Sequence, residues 1–299
     1  MTGNDLRRVL VLINPRSGIG WSFSSLRRAM DKAWEKPGTD LAYQFSQDLE
    51  DCTAKVNRAI ESGVDTIIVV GGDGTVNSIG RMLIGSDVSL GIVPVGSGNG
   101  FARHFSIPLT PSKAVHALAG GNEHTIDVGF IGETPFLVTA SMAWEAAITE
   151  SFEKSPIRGI VPYVLAGFQE LFEYVPQDLT VRLDASEEMV FKDPVIFTVA
   201  NLSQYGGGAR IAPEARADDG HLELVVSRRK DMAKLIANVG RLFDGSISRI
   251  PEVMTYRFRE MEVIREKAAP IQIDGELVEA PTNVRVAVRP ACLKVLVPG

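Results

Sequence analysis

Residues 64–79 read VDTIIVVGGDGTVNSI, a β-branched apolar run that breaks into Gly71, Gly72, Asp73, Gly74 and Thr75 before a helix-compatible stretch. Seven residues without polar alternation fit a strand covered on both faces, as in a parallel sheet. A glycine turn from such a strand into a helix lets backbone N–H groups approach phosphate oxygens, with the helix N-terminus adding a positive dipole. In that setting Asp73 can orient a Mg²⁺ ion or a reacting hydroxyl, and Thr75 can hydrogen-bond a phosphate. The plainer reading is a strand-to-helix turn in which Asp73 is only an N-cap.

Working outward, the same unit recurs on both sides. RRVLVLI at 7–13 is a buried strand running into the loop Asn14-Pro15-Arg16-Ser17-Gly18. LGIVPV at 90–95 is another, leading into Gly96-Ser97-Gly98-Asn99-Gly100-Phe101-Ala102-Arg103. The second loop offers amide and hydroxyl donors to a nucleotide, with Arg103 able to meet a phosphate. Helical spacing of Phe23, Leu26, Met30, Ala33 and Trp34, and of Ala54, Val56, Ala59 and Ile60, places helices between the strands. Strand and helix thus alternate through an N-terminal doubly wound α/β domain over 1–126, whose ligand loops lie at the carboxyl ends of the strands. Neither a GxxxxGK[ST] loop nor a GxGxxG after the first strand is present, which excludes a P-loop NTPase and disfavours the common dinucleotide fold.

From residue 127 to 289 the texture changes to short alternating segments, among them PFLVTAS, LTVRLD, VIFTVAN, HLELVVS, MTYRFREMEVI, IQIDGELV and NVRVAVR. These predict an antiparallel β-rich domain interrupted by one helix near 160–174. The final CLKVLVPG reads as a closing strand, so that 290–299 can return to the first domain.

Composition narrows the function. The chain has 299 residues, 45% apolar content and a net charge of −6, which argues against a nucleic-acid partner because a basic face supplies affinity there. Cys52 and Cys292 are in no metal-ligand spacing and suggest reduced thiols in the cytoplasm. No apolar run is long enough to span a bilayer, so any membrane contact is peripheral. His104, His116, His124 and His221 are scattered and read as ordinary surface or core residues.

NPRSG, GGDGTVN and VPVGSGNGFAR, in this order, resemble the catalytic domain of the diacylglycerol kinases, sphingosine kinases and bacterial lipid kinases. The resemblance extends through TIDVG at 125–129, SQYGGGARIAPEARADDGHLEL at 203–224 and IQIDGELVE at 271–279. It implies an α/β nucleotide-binding domain, an antiparallel β-sandwich domain and an active site in the cleft between them. It further implies ATP with Mg²⁺ as cofactors and a lipid hydroxyl at a membrane surface as acceptor, most simply diacylglycerol, with a homodimer left open. By the same resemblance Asn14, Ser17, Gly71, Gly72, Gly74, Thr75, Gly96, Ser97, Gly98, Asn99 and Arg103 serve the nucleotide. Asp73 and Asp127 serve its Mg²⁺, and Asp274 with Glu276 forms the catalytic pair. Asp73 and Asp274 compete for the role of base. Asp218 and Asp219 fall where some bacterial members hold a structural Mg²⁺, although DDG is equally a tight turn.

Two departures are expected to matter. Gly100 stands where many bacterial members carry an aspartate, removing a carboxylate near the nucleotide metal. GSGN and Ser141-Met142-Ala143-Trp144 are instead similar to sphingosine kinases, although Glu145 and Glu150 are only near the place of the carboxylate that recognises an amine there. The apolar helix within 147–176, flanked by Lys154 and Arg158, reads either as a membrane contact or as a packing element. The competing functions are a sphingoid-base or other lipid-alcohol kinase, an NAD-kinase-like enzyme, and a relative that binds nucleotide without turnover.

Overall fold

The computed structural model describes residues 7–18, 20–34, 38–144, 146 and 174–299. They form two compact units, one of Met1–Ile126 with Ala291–Gly299 and one of Asp127–Pro290.

The first unit is a parallel α/β fold. Its strands are β1 (Arg7–Ile13), β2 (Thr39–Phe45), β3 (Thr66–Gly71) and β4 (Ser89–Pro94), in the order β2-β1-β3-β4. Val11 is level with Ile68, and Ile68 with Gly91. Every residue of β3 and β4 is buried, which accounts for their unbroken apolar sequences.

Between the strands run α1 (Phe23–Trp34), α2 (Leu49–Glu61) and α3 (Asp73–Leu83), followed by α4 (Gly100–His104) and α5 (Pro111–Ala119). Helix α1 buries Leu26, Met30 and Trp34, one stripe at four-residue spacing. Helix α2 starts at Asp48, whose side chain accepts the Asp51 N–H at 2.9 Å. From β1 the chain steps to β2 on one side, then back past β1 to β3 and on to β4. Right-handed crossovers then put α1 on one face and α2 with α3 on the other; accordingly α1 packs on α5 and α2 on α3. The strand order reverses between β1 and β3, and a doubly wound sheet opens its ligand crevice at such a point.

The second unit is antiparallel. Strands β5 (Asn122–Ile131), β6 (Thr134–Phe136) and β7 (Thr139–Ser141) lead into it. They are followed by β8 (Leu179–Leu183), β9 (Met189–Phe191), β10 (Pro194–Ala200) and β11 (Leu222–Arg228). After a helical excursion come β12 (Met254–Phe258), β13 (Glu260–Arg265), β14 (Ile271–Ile273), β15 (Glu276–Val278) and β16 (Asn283–Val297). One sheet has the order β12-β11-β10-β7-β14-β15. In the other, β13 pairs with β8 and with the first half of β16. Phe197, Leu224 and Ile273 of the first sheet share one buried cluster with Val181, Val263 and Val284 of the second, giving a sandwich core.

Two segments differ from expectation. MTYRFREMEVI is two strands in different sheets, because pairing partners change after Phe258. NVRVAVR and CLKVLVPG belong to one long strand, β16, whose residues from Ala291 onward lie in the first unit. The expected helix near 160–174 falls largely outside the described residues, as do Lys154, Arg158, Glu145 and Glu150.

Candidate active site

The three glycine loops meet at the carboxyl ends of β1, β3 and β4. Asn14 ends β1, donating its backbone N–H to Val70 O at 3.0 Å. Its side chain crosses the switch point: Nδ2–H donates to Thr75 Oγ1 at 2.8 Å, while Oδ1 accepts the Arg16 N–H at 2.9 Å. Gly18 adopts φ +72°, and a Cβ there would run into Val95 O, so the first loop lies directly on the end of β4.

Gly72 and Gly96 face each other backbone to backbone. A Cβ on Gly96 would stand 2.7 Å from Gly72 Cα and 3.1 Å from Asn99 Oδ1. A Cβ on Gly71 would stand 2.8 Å from Thr75 Cβ. These glycines answer to the packing of loop on loop. Gly74 differs: it is exposed, and nothing lies within 4 Å of where its Cβ would be. It is the second residue of α3, whose first turn has backbone N–H groups without intrahelical acceptors. The helix therefore presents donors and the positive end of its dipole to an open surface, with no side chain in the way.

Asp73 joins two of the loops. Its carboxylate accepts backbone N–H bonds from Asn99, Phe101 and Gly100 and has Arg103 nearby. Burial pushes its pKa above the usual carboxylate range, against the downward pull of those donors. Asn99 takes a left-handed conformation, φ 53°, and its Nδ2–H donates to Gly96 O at 2.7 Å. Arg103 folds back so that Nε–H donates to Gly98 O at 3.0 Å. Asn14, Asp73, Asn99 and Arg103 thus build the loops, whereas Ser97 and Gly74 are exposed and Ser17, Thr75 and Gly98 half-exposed around them. The Arg103–Gly98 bond shapes the Gly98 turn and uses only the Nε–H of Arg103, leaving its two terminal NH₂ groups compatible with the expected phosphate contact.

The second unit holds the remaining carboxylates. Asp274 and Gly275 are the two central residues of the β14–β15 hairpin, with φ 52° and 89°, values that a tight primed turn requires and that Asp-Gly supplies. Asp274 Oδ2 accepts the Leu137 N–H at 2.8 Å, and Oδ1 accepts Val138 N–H at 2.8 Å and Thr139 N–H at 3.1 Å. Its carboxylate thereby fastens the hairpin to the segment between β6 and β7. Glu276 opens β15 and is exposed.

Asp127 is buried and accepts the Gly220 N–H at 2.6 Å. Its carbonyl accepts Asn201 Nδ2–H at 2.9 Å, and Asn201 also donates to Leu137 O at 2.9 Å. Asn201 is fully buried and was missed in the sequence; its only signal is an amide closing the apolar run VIFTVAN.

Asp219 pairs with Arg257 at 2.8 Å, and Asp218 lies 3.4 Å from Arg216. His221, read as ordinary, is within reach of Asp219, Arg257 and Arg259. Among the described residues no three His, Cys, Asp or Glu side chains gather to hold a metal ion. The described side chains therefore do not by themselves close a protein cage around Mg²⁺, and no step below runs through the ion.

Glycine loops gathered at the switch point of a parallel sheet, with an antiparallel sandwich following in the chain, are an arrangement that suits a phosphotransferase. Residues 8–131 match the diacylglycerol kinase catalytic domain, and residues 139–297 match the YegS C-terminal NAD kinase beta sandwich-like domain. A diacylglycerol kinase of Mycobacterium tuberculosis is 29% identical over 99% of this chain and 96% of its own length. A probable YegS-like lipid kinase of Chromohalobacter salexigens is 31% identical over 91% of this chain and 88% of its own. The crystal structure of a putative diacylglycerol kinase from Bacillus anthracis superimposes with a TM-score of 0.77 at 20% identity, covering 97% of both chains, a likeness of fold. The chain belongs to the family of diacylglycerol kinases and YegS-like lipid kinases, and it is a kinase with an alcohol acceptor.

Proposed function

We propose that this lipid kinase transfers the γ-phosphate of ATP, carried with Mg²⁺, to the free hydroxyl of diacylglycerol presented at a membrane surface. The observation that carries the reading is Gly74, a glycine at the start of α3 that no packing requires and that opens on free space. Phosphates seated there meet helix N–H donors, and phosphoryl transfer depends mainly on such positioning. Asp274 is the proposed base, its orientation fixed by three backbone donors, with Glu276 next to it in the hairpin.

The sphingoid-base alternative draws no support from Ser141, Met142 and Ala143. Ser141 Oγ lies 3.0 Å from Thr198 Oγ1 in the core, and all three residues are buried; packing explains them. The test is transfer from γ-labelled ATP to mixed micelles of diacylglycerol, monoacylglycerol, sphingosine or phosphatidylglycerol. Label in phosphatidic acid supports the reading, and label in sphingosine phosphate alone replaces it.

A further inference from the structure

The excursion between β11 and β12, residues 229–253, has a face that the fold leaves uncovered. It reads RKDMAKLIANVGRLFDGSISRIPEV, with five basic and three acidic residues in a chain whose net charge is −6. Two short helices, α6 (Met232–Ala237) and α7 (Arg241–Asp244), follow each other through helical turns at Asn238 and Val239.

Leu235 and Leu242, seven residues apart, pack inward against a core cluster that includes Ile211, Ile247 and Ile250. Ile236, Val239 and Phe243 share the same spacing one residue on and are 37%, 49% and 58% exposed. The segment is therefore apolar on two sides, and only one is covered by the fold. Elsewhere in the same excursion Lys230 and Arg249 are exposed, as is Asp244. Lys234, also exposed, pairs with Glu252.

We propose that this face is a bilayer-docking surface for a membrane carrying anionic headgroups, with Ile236, Val239 and Phe243 entering the interface and Lys230 and Arg249 meeting lipid phosphates. Exposed apolar side chains in a segment with a basic excess are what a lipid–water boundary stabilises, by burial and by attraction to its negative surface. A kinase whose acceptor is itself a lipid gains substrate access from such an anchor. The inference rests in that respect on the proposed function.

The test uses the full chain without ATP, co-sedimented with vesicles of phosphatidylcholine alone or with one part in three phosphatidylglycerol. Two double variants, Val239→Ser/Phe243→Ser and Lys230→Glu/Arg249→Glu, alter exposed side chains, and their melting temperatures control for folding. The parent is expected to bind the anionic vesicles and leave the neutral ones. Reversing two cations should weaken binding about 25-fold or more, and removing the apolar pair about tenfold or more. Full binding by both variants overturns the proposal. So does a parent dimer that the apolar variant converts to monomer in sedimentation, which assigns the face to a second copy. Vesicle binding that follows these expectations while no lipid accepts phosphate would sink the kinase reading and leave docking intact.

Discussion

Gly74 and Gly96 are both glycines of strand-to-helix loops, yet their surroundings differ, the one open and the other packed on backbone, and alanine at each separates the proposed phosphate role from a packing role. At Gly96 the new methyl would lie 2.7 Å from Gly72 Cα, where ordinary contact is 3.4–4 Å, and backbone on both sides must give way. Overpacking of this kind destabilises by about 1–3 kcal/mol. That corresponds to a fall of about 2–10 °C in melting temperature for a domain of this size. At Gly74 the methyl enters open space, and within the first turn of α3 alanine is favoured over glycine by about 0.5–1 kcal/mol. Gly74→Ala should therefore melt at or above the parent temperature, while its ATP affinity falls about tenfold or more, equivalent to ~1.4 kcal/mol, because the methyl occupies the approach to the helix donors. Calorimetric melting without ligand and ATP titration by isothermal calorimetry read the two effects separately. A Gly74→Ala protein that binds ATP as the parent does would refute the assignment of that surface to phosphate.

Other expectations follow from the carboxylates. Asp73→Asn turns one accepting oxygen into an amide that confronts backbone N–H donors of the third loop, so a loss of about 2 kcal/mol in stability should accompany weakened ATP binding; a variant that melts like the parent and loses only turnover would assign Asp73 to chemistry. Asp274→Asn sets an amide against Leu137 N–H or its neighbours, and denaturant unfolding should show a loss on the order of 2 kcal/mol beside abolished transfer. An inactive variant with unchanged stability would contradict the anchoring role. Burial raises Glu223 from its ordinary 4.5 to about 7, with repulsion from Asp219 and Glu214 adding to the rise and Arg257 opposing it. Between those values the folded chain holds a proton that the unfolded chain has released, so stability falls as pH rises through this window. Glu223→Gln should remove that slope, making the variant the more stable at pH 8 by roughly 1 kcal/mol after allowance for partial exposure, and equal to the parent near pH 4. Parallel curves for the two proteins would refute it.

Much of the first unit is legible because its signals are local. VDTIIVV announces a strand buried on both faces, and a glycine loop after each of three strands marks one edge of one sheet. What sequence cannot tell is which glycine faces a ligand and which faces another backbone, since Gly72 meets Gly96 across 24 positions of chain. The same holds for Asp274, whose acceptor role depends on N–H groups at 137–139. Asp-Gly at 274–275 is legible as a turn, but not as the clasp between two distant segments. MTYRFREMEVI reads as one strand because no glycine or proline marks the change of partner after Phe258. Arg103 looks like a phosphate ligand in any loop of this composition, and only the position of Gly98 O shows that its Nε–H also holds the shape of that loop.

The most direct measurement is formation of labelled phosphatidic acid from γ-labelled ATP and diacylglycerol in mixed micelles, compared between the parent chain and Gly74→Ala at an ATP concentration below saturation. The account predicts product with the parent and a severalfold lower rate with the variant, recovered in part at high ATP. Absence of labelled lipid with the parent, under conditions where it binds ATP, would contradict it.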